Sequence, residues 1–277
     1  RDMHHHCYRP WARTWLVGPP TDVPEFSVDA VEDIESAALS CREHWQLGLG
    51  PIHRTTRVLE NAGIVVTQIH DNDVRVDAFS SLNSDPLIVA LSSAKGSASR
   101  EIFDKMHELG HLSLHRRDRG KTYQQKEAEA NYFSGAFLLP AESFGREFRT
   151  CGGTLGDLLE LKMRWGVSVP AMVYRAHQLD LISTARYRQL MKGVSKRGWR
   201  RGVAEPGEPE SHPPELLPNA SRRFLEASGQ TVEEAAEQVG WKLPMFRSVT
   251  GLAEDILPAT GAEMLSLDEY RQRRAQG

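Results

Sequence analysis

The chain has 277 residues, a formal net charge of -3, a hydrophobic share of 40% and a charged share of 26%. That balance fits an ordinary globular chain and gives no whole-chain case for binding nucleic acid. No apolar run approaches the roughly 18 residues of a membrane span, and three cysteines without a C-x-x-C pair indicate neither a thiolate metal site nor a disulfide framework.

A reducing, cytoplasmic setting is therefore expected. The N-terminus begins at Arg1 and has no apolar core of a signal peptide. His4-His5-His6-Cys7 could bind metal adventitiously, but a disordered terminus or a tag remnant is the stronger expectation. Residues 1–27 carry Pro10, Pro19, Pro20 and Pro24 and predict an irregular arm. Val31, Ile34, Ala38 and Trp45 then outline a helix from Ser27 to about Gln46, with Ser27 as its cap. A second helix is expected from Pro51 to Asn61, ending near Gly63.

The period then changes. Ile64 to Ile69 is a β-branched run, and Val74, Val76 and Ala78 alternate with Arg75, Asp77 and Phe79. Asp71-Asn72-Asp73 and Asn83-Ser84-Asp85-Pro86 supply turns. Leu87 to Leu91 is continuously apolar, as a strand covered on both faces should be. Together these predict a small antiparallel sheet.

Ile102, Phe103, Met106, Leu109 and Leu112 form a helical stripe reaching about Arg116, with Ser97 or Ser99 as the cap. On that helix His107 and His111 stand four residues apart, which puts both rings on one face. Two imidazoles so placed can reach one zinc ion. Glu108 lies between them in sequence, beside the ion, where it can accept a proton from water that the ion activates. Gly110 costs about 1 kcal/mol inside a helix, and a close approach by a neighbouring element would explain it.

A catalytic zinc takes a third protein ligand. His115 lies roughly 12 Å along the helix axis from His107 and is expected either to support the site from outside or to be structural. The next helix, read over 126–139 and ended by Pro140, offers Glu127 and Glu129. These point about 200° apart, so one of them can face the ion, and spacing alone does not choose.

Residues 54–140 resemble the ImmA/IrrE family of metallopeptidases. The resemblance is carried by Ile102-Phe103-Asp104-Lys105-Met106-His107-Glu108-Leu109-Gly110-His111-Leu112-Ser113-Leu114-His115-Arg116, by Glu127-Ala128-Glu129-Ala130-Asn131-Tyr132-Phe133 and by Leu138-Leu139-Pro140. It extends to Lys95-Gly96-Ser97 and the three strands. The family's second motif reads E-x-[EQ]-A-[ND]-x-F, and its metal-binding first position falls on Glu127. Glu129 then falls where glutamine is also accepted, and Asn131 is expected either to orient the ligand or to be a plain helix-surface amide.

The resemblance implies an α+β, zincin-like domain with an active-site helix, followed by helical segments. It also implies a zinc endopeptidase acting on a helix-turn-helix repressor that controls stress-response or mobile-element genes. Substrate is expected along strand 86–92 by edge pairing, with Phe79 and Arg75 structural. The rival expectation is a regulator that binds DNA or a partner protein through a peptidase-like scaffold; a hydrolase acting on another bond also fits the motif.

Helices over 154–165 and 168–180, around Gly166, resemble a helix-turn-helix within a domain spanning 28–197. Residues 154–200 hold nine Lys/Arg against three Asp/Glu, an excess that could meet DNA phosphates or equally belong to a solvated helical scaffold packed on the peptidase. Arg175 and His177 fall near the support of the site. Pro, Glu and Gly enrichment over 198–218 reads as a linker. Residues 219–257 form a small helical module and 258–277 a polar tail. The module's Ala235, Ala236, Val239, Gly240, Trp241, Phe246 and Val249 fit the helix-turn-helix template. Four basic against seven acidic residues over 215–255 favour protein contact or a structural role.

Overall fold

The computed structural model describes residues 20–69, 78–92, 97–117, 120–199 and 204–252. The histidine cluster at 4–6, most of the N-terminal arm, the turn at 71–73, Val74, Arg75 and Val76, Lys95 and Gly96, and the polar tail lie outside them. Residues 20–30 form neither helix nor strand, as expected for the arm. They are nevertheless anchored: Asp22 N–H donates to Ala62 O and Phe26 N–H to Ser113 O, at 2.9 and 2.8 Å.

Helix α1 (Val31–His44) starts later than Ser27 predicts. The Asp33 carboxylate accepts the backbone N–H groups of Asp29 and Ala30 at 3.0 and 2.9 Å, satisfying donors that the first turn would orphan. The buried face is Ile34, Ala37, Ala38 and Cys41, whereas Val31 is exposed. Helix α2 (Thr55–Asn61) follows, and Gly63 turns the chain with φ 75°.

Strands β1 (Val65–Ile69), β2 (Ala78–Ser81) and β3 (Ile88–Ser92) form a sheet in the order β1-β3-β2. The α+β class holds, but the sheet is mixed: β1 pairs with β3 in parallel and β2 with β3 in antiparallel fashion. The turn after β2 returns the chain as a hairpin, with Ser84 Oγ donating to Ser81 O. The other edge of β3 is left to β1. Strand β3 is therefore central and offers no free edge to substrate, which corrects the expectation for 86–92.

Side-chain alternation divides the sheet between two layers. Ile64, Val66, Leu87, Val89 and Leu91 enter the main core, while Val65 and Ile88 enter a second one. The main core is shared with α3 (Ala98–Leu114), α4 (Tyr123–Leu138), α5 (Ala141–Thr150), α6 (Leu155–Trp165), α7 (Val169–Gln178) and α8 (Thr184–Lys196). Helix α4 begins at a Thr122–Gln125 capping box. Helix α5 was not anticipated, because its signal is a single pair, Phe144 and Phe148, one turn apart and both buried.

The second core joins Val65 and Ile88 to α9 (Leu216–Ser228), α10 (Val232–Gln238) and α11 (Leu243–Thr250), through Leu217, Leu225, Ala235, Trp241, Phe246 and Val249. The Thr67 hydroxyl donates to Val249 O. The expected C-terminal module thus covers the far face of the sheet. Phe79 packs against the same core.

The expected linker is also packed, as a strap, over its described residues. Buried Lys162 Nζ meets Glu205 Oε2 at 3.3 Å and Glu208 Oε1 at 2.6 Å. Glu205 also accepts Val169 N–H at 2.9 Å. Thr56 donates to His212 O at 2.7 Å, and Glu60 accepts the N–H groups of Glu215 and Leu216 at 2.8 and 2.7 Å. The basic excess of 154–200 is partly consumed here. Lys162 is buried, and Arg175 is buried in a paired contact with Glu35 at 2.6 and 2.8 Å. His177 Nε2 lies 3.2 Å from Thr184 Oγ1. Arg188, Lys192 and Lys196 stay exposed on α8.

Candidate metal centre

Helix α3 carries His107, Glu108 and His111, and α4 packs directly across it. Gly110 makes that approach possible. A Cβ there would lie 3.1 Å from the Ala130 Cα, 3.2 Å from Phe133 Cδ1 and 3.3 Å from Ala130 O. The two helices touch at backbone level, which brings an acidic side chain of α4 over the histidine face of α3.

The residue that arrives is Glu127. His107 Nε2 and His111 Nε2 are 3.0 Å apart. Glu127 Oε2 lies 3.4 Å from the first and its Oε1 lies 3.2 Å from the second. Ligand atoms from these three residues all fall within 4.8 Å of one another, and the group is the one such cluster among the described residues. Glu129 points to the other side of α4, where its Oε2 is 2.9 Å from His115 Nε2.

These contacts are not ordinary ion pairs. Burial first, then the rings of His107 and His115 and the Lys126 ammonium, push the His111 pKa down to about 3. The ring is therefore neutral at physiological pH. His107 Nδ1 sits 3.2 Å from Asn131 Oδ1, an acceptor that suits the tautomer with its proton on Nδ1 and its lone pair on Nε2. Lone pairs and a carboxylate then converge on one point, an arrangement that a cation relieves. The donor set of two imidazole nitrogens and one carboxylate oxygen fits a catalytic zinc.

Glu108 is buried beside this cluster. Burial pushes its carboxyl up to about 7; a hydrogen bond with Ser80 opposes that, and the charges of Glu127 and Asp104 add to it. A carboxyl ionising near neutrality suits proton transfer. Ser80 belongs to β2, so the sheet edge and the buried acid are in contact.

Spacing had not pointed to Ser80, Lys121 or Tyr123. Tyr123 is exposed at the start of α4, one turn before Glu127. The charge of Glu127, then burial and a hydrogen bond to that carboxylate, raise the phenol pKa, with Glu108 contributing. Its sequence signal is the four-residue interval from Glu127 on one helix face. Ser80 has no such signal, since its partner lies across the fold.

A motif helix packed on a small mixed sheet, with a histidine pair facing a carboxylate from the next helix, defines a zincin-like domain of the metallopeptidase type. Residues 59–177 match the sequence profile described as the IrrE N-terminal-like domain, a peptidase family. None of the curated proteins compared with the chain matches it. Among the described residues, no helix is long and apolar enough to cross a membrane.

Proposed function

We propose that the chain is a zinc-dependent endopeptidase with His107, His111 and Glu127 as metal ligands and Glu108 as general base. The observation that supports it is the convergence of those three donor groups beside a buried carboxyl pushed up to about 7. A zinc ion held there would act as a Lewis acid, polarising water and the scissile carbonyl. Glu108 takes the proton from the attacking water and returns it to the leaving nitrogen. Tyr123 can donate its phenolic hydrogen to the oxygen that gains charge.

Strand β2 supplies the binding edge. Among the described residues its one strand partner is β3, and Ser80 links it to Glu108. An extended peptide added to this edge would bring a backbone carbonyl to the base. By the family resemblance, the substrate is a helix-turn-helix repressor controlling stress-response or mobile-element genes, in a cytoplasmic setting. The exposed row Arg188, Lys192 and Lys196 supports a second reading, contact with nucleic-acid phosphates. Its signature is binding that collapses as salt is raised.

Metal analysis of the purified chain should give about one zinc per chain. Glu108→Gln should keep that zinc and lower cleavage of a co-expressed repressor by roughly 10²–10⁴-fold. Cleavage at the parent rate by this variant would remove Glu108 from the mechanism.

A further inference from the structure

We infer that His115 and Glu129 position His111 through a hydrogen-bonded relay that can run in one direction only. The inference rests on the reading of His111 as a metal ligand. His111 Nε2 faces His107 Nε2 and Glu127 at 3.0 and 3.2 Å, so its other nitrogen points out of the cluster. That nitrogen, Nδ1, lies 2.9 Å from His115 Nδ1.

Proton accounting then fixes each partner. A neutral imidazole giving its Nε2 lone pair to a metal carries its proton on Nδ1. His111 Nδ1–H therefore donates, and His115 Nδ1 must accept. His115 in turn carries its proton on Nε2, where Glu129 Oε2 stands 2.9 Å away as acceptor. Lys121 Nζ donates to the other Glu129 oxygen at 2.9 Å and to Val28 O. Every donor meets an acceptor, and the series ends on an ammonium tied to the N-terminal segment.

The two candidate ligands are thus held unequally. His107 leans on a neutral amide, Asn131, at 3.2 Å. His111 leans on an imidazole backed by a charged pair. The His115 side chain is 0% exposed and that of Glu129 18%, against 33% for Glu127, so the relay lies beneath the site, away from solvent. A carboxylate behind a ligating imidazole fixes its orientation and raises its basicity. Here one more ring separates the two, and a third histidine, at the C-cap of α3, supplies it. Both glutamates of α4 are then assigned: Glu127 to the ion, Glu129 to the relay.

The test uses the full chain, with zinc affinity measured by chelator competition and the visible spectrum recorded after cobalt substitution. His115→Phe should weaken zinc by roughly 10–100-fold and alter the cobalt bands. Glu129→Gln should weaken zinc in the same direction by less. Combined with His115→Phe it should add nothing, because its effect passes through that ring. A His115 that merely fills the core would lower the melting temperature and leave affinity and bands unchanged, which would overturn the relay. Should His115→Phe fail to fold, Glu129→Gln decides, and parental affinity in that variant overturns it equally. If the parent itself holds no zinc, or His107→Ala holds it as tightly as the parent, the metal-site reading fails first.

Discussion

Glu208 and Glu108 lie against the same helix in opposite surroundings. Glu208 sits at the N-terminus of α3, where it accepts Ser99 N–H at 2.9 Å and the hydroxyls of Ser97 and Ser99 at 3.2 and 3.1 Å. Burial works against its charge, yet Lys162 and the Ser99 donors hold its carboxyl below the usual range. Glu108, two turns or more into the helix, has Ser80 as a donor and two further carboxylates as neighbours, and burial carries it up to about 7. A carboxylate with full partners fixes a helix end; one without a cation, as Glu108 is in the metal-free chain, keeps its proton near neutral pH. The first arrangement holds the scaffold, and the second suits chemistry.

The contrast can be broken hardest at Lys162. Lys162→Ala leaves Glu205 and Glu208 without their shared ammonium, and loss of one partner from a buried pair costs about 3–5 kcal/mol. Urea unfolding should register that loss. A change below about 1 kcal/mol would mean that the strap contributes little.

A smaller effect is expected from pH. In metal-free protein the Glu108 carboxyl ionises at about 7 rather than its ordinary 4.5. Between those values the native state binds the extra proton, so stability falls as pH rises through that window, and the loss persists above it. Glu108→Gln has no such proton. The stability of the parent relative to this variant should drop by roughly 3 kcal/mol between pH 4 and pH 8. A difference that stays flat would mean that burial does not disfavour the charge.

Gly110→Ala should have the smallest effect. The added methyl meets Ala130 Cα at 3.1 Å, and crowding of about 1–3 kcal/mol exceeds the helix-propensity gain of about 1 kcal/mol. A net loss of about 1 kcal/mol is expected in thermal or urea unfolding. Unchanged or higher stability would show that the helices separate freely.

Much of the motif helix was legible because its information is local. His107, Glu108 and His111 are related by helix geometry alone, whereas Gly110 was compatible with a close neighbour or with a merely tolerated substitution. The choice between Glu127 and Glu129 needed the rotation of α4 against α3, which no spacing within one helix contains. Sheet order was hidden for a similar reason. The pattern marks β1 and β3 as apolar but does not say that they lie side by side and parallel. The strap misled through composition: Pro, Glu and Gly read as a linker, while Lys162, its partner, lies 43 and 46 residues away from Glu205 and Glu208. Likewise, counting charges over 154–200 could not reveal that Lys162 and Arg175 are buried in pairs.

The placement of α9 to α11 bears on how a fragment would behave. A piece trimmed to residues 59–177 would uncover Val65 and Ile88, both nearly inaccessible in the intact fold, and would strip the acid cap from the start of α3. Such a piece would present an oily sheet surface to its neighbours and invite self-association. Recombinant work on the catalytic unit is therefore better served by carrying the downstream helices along.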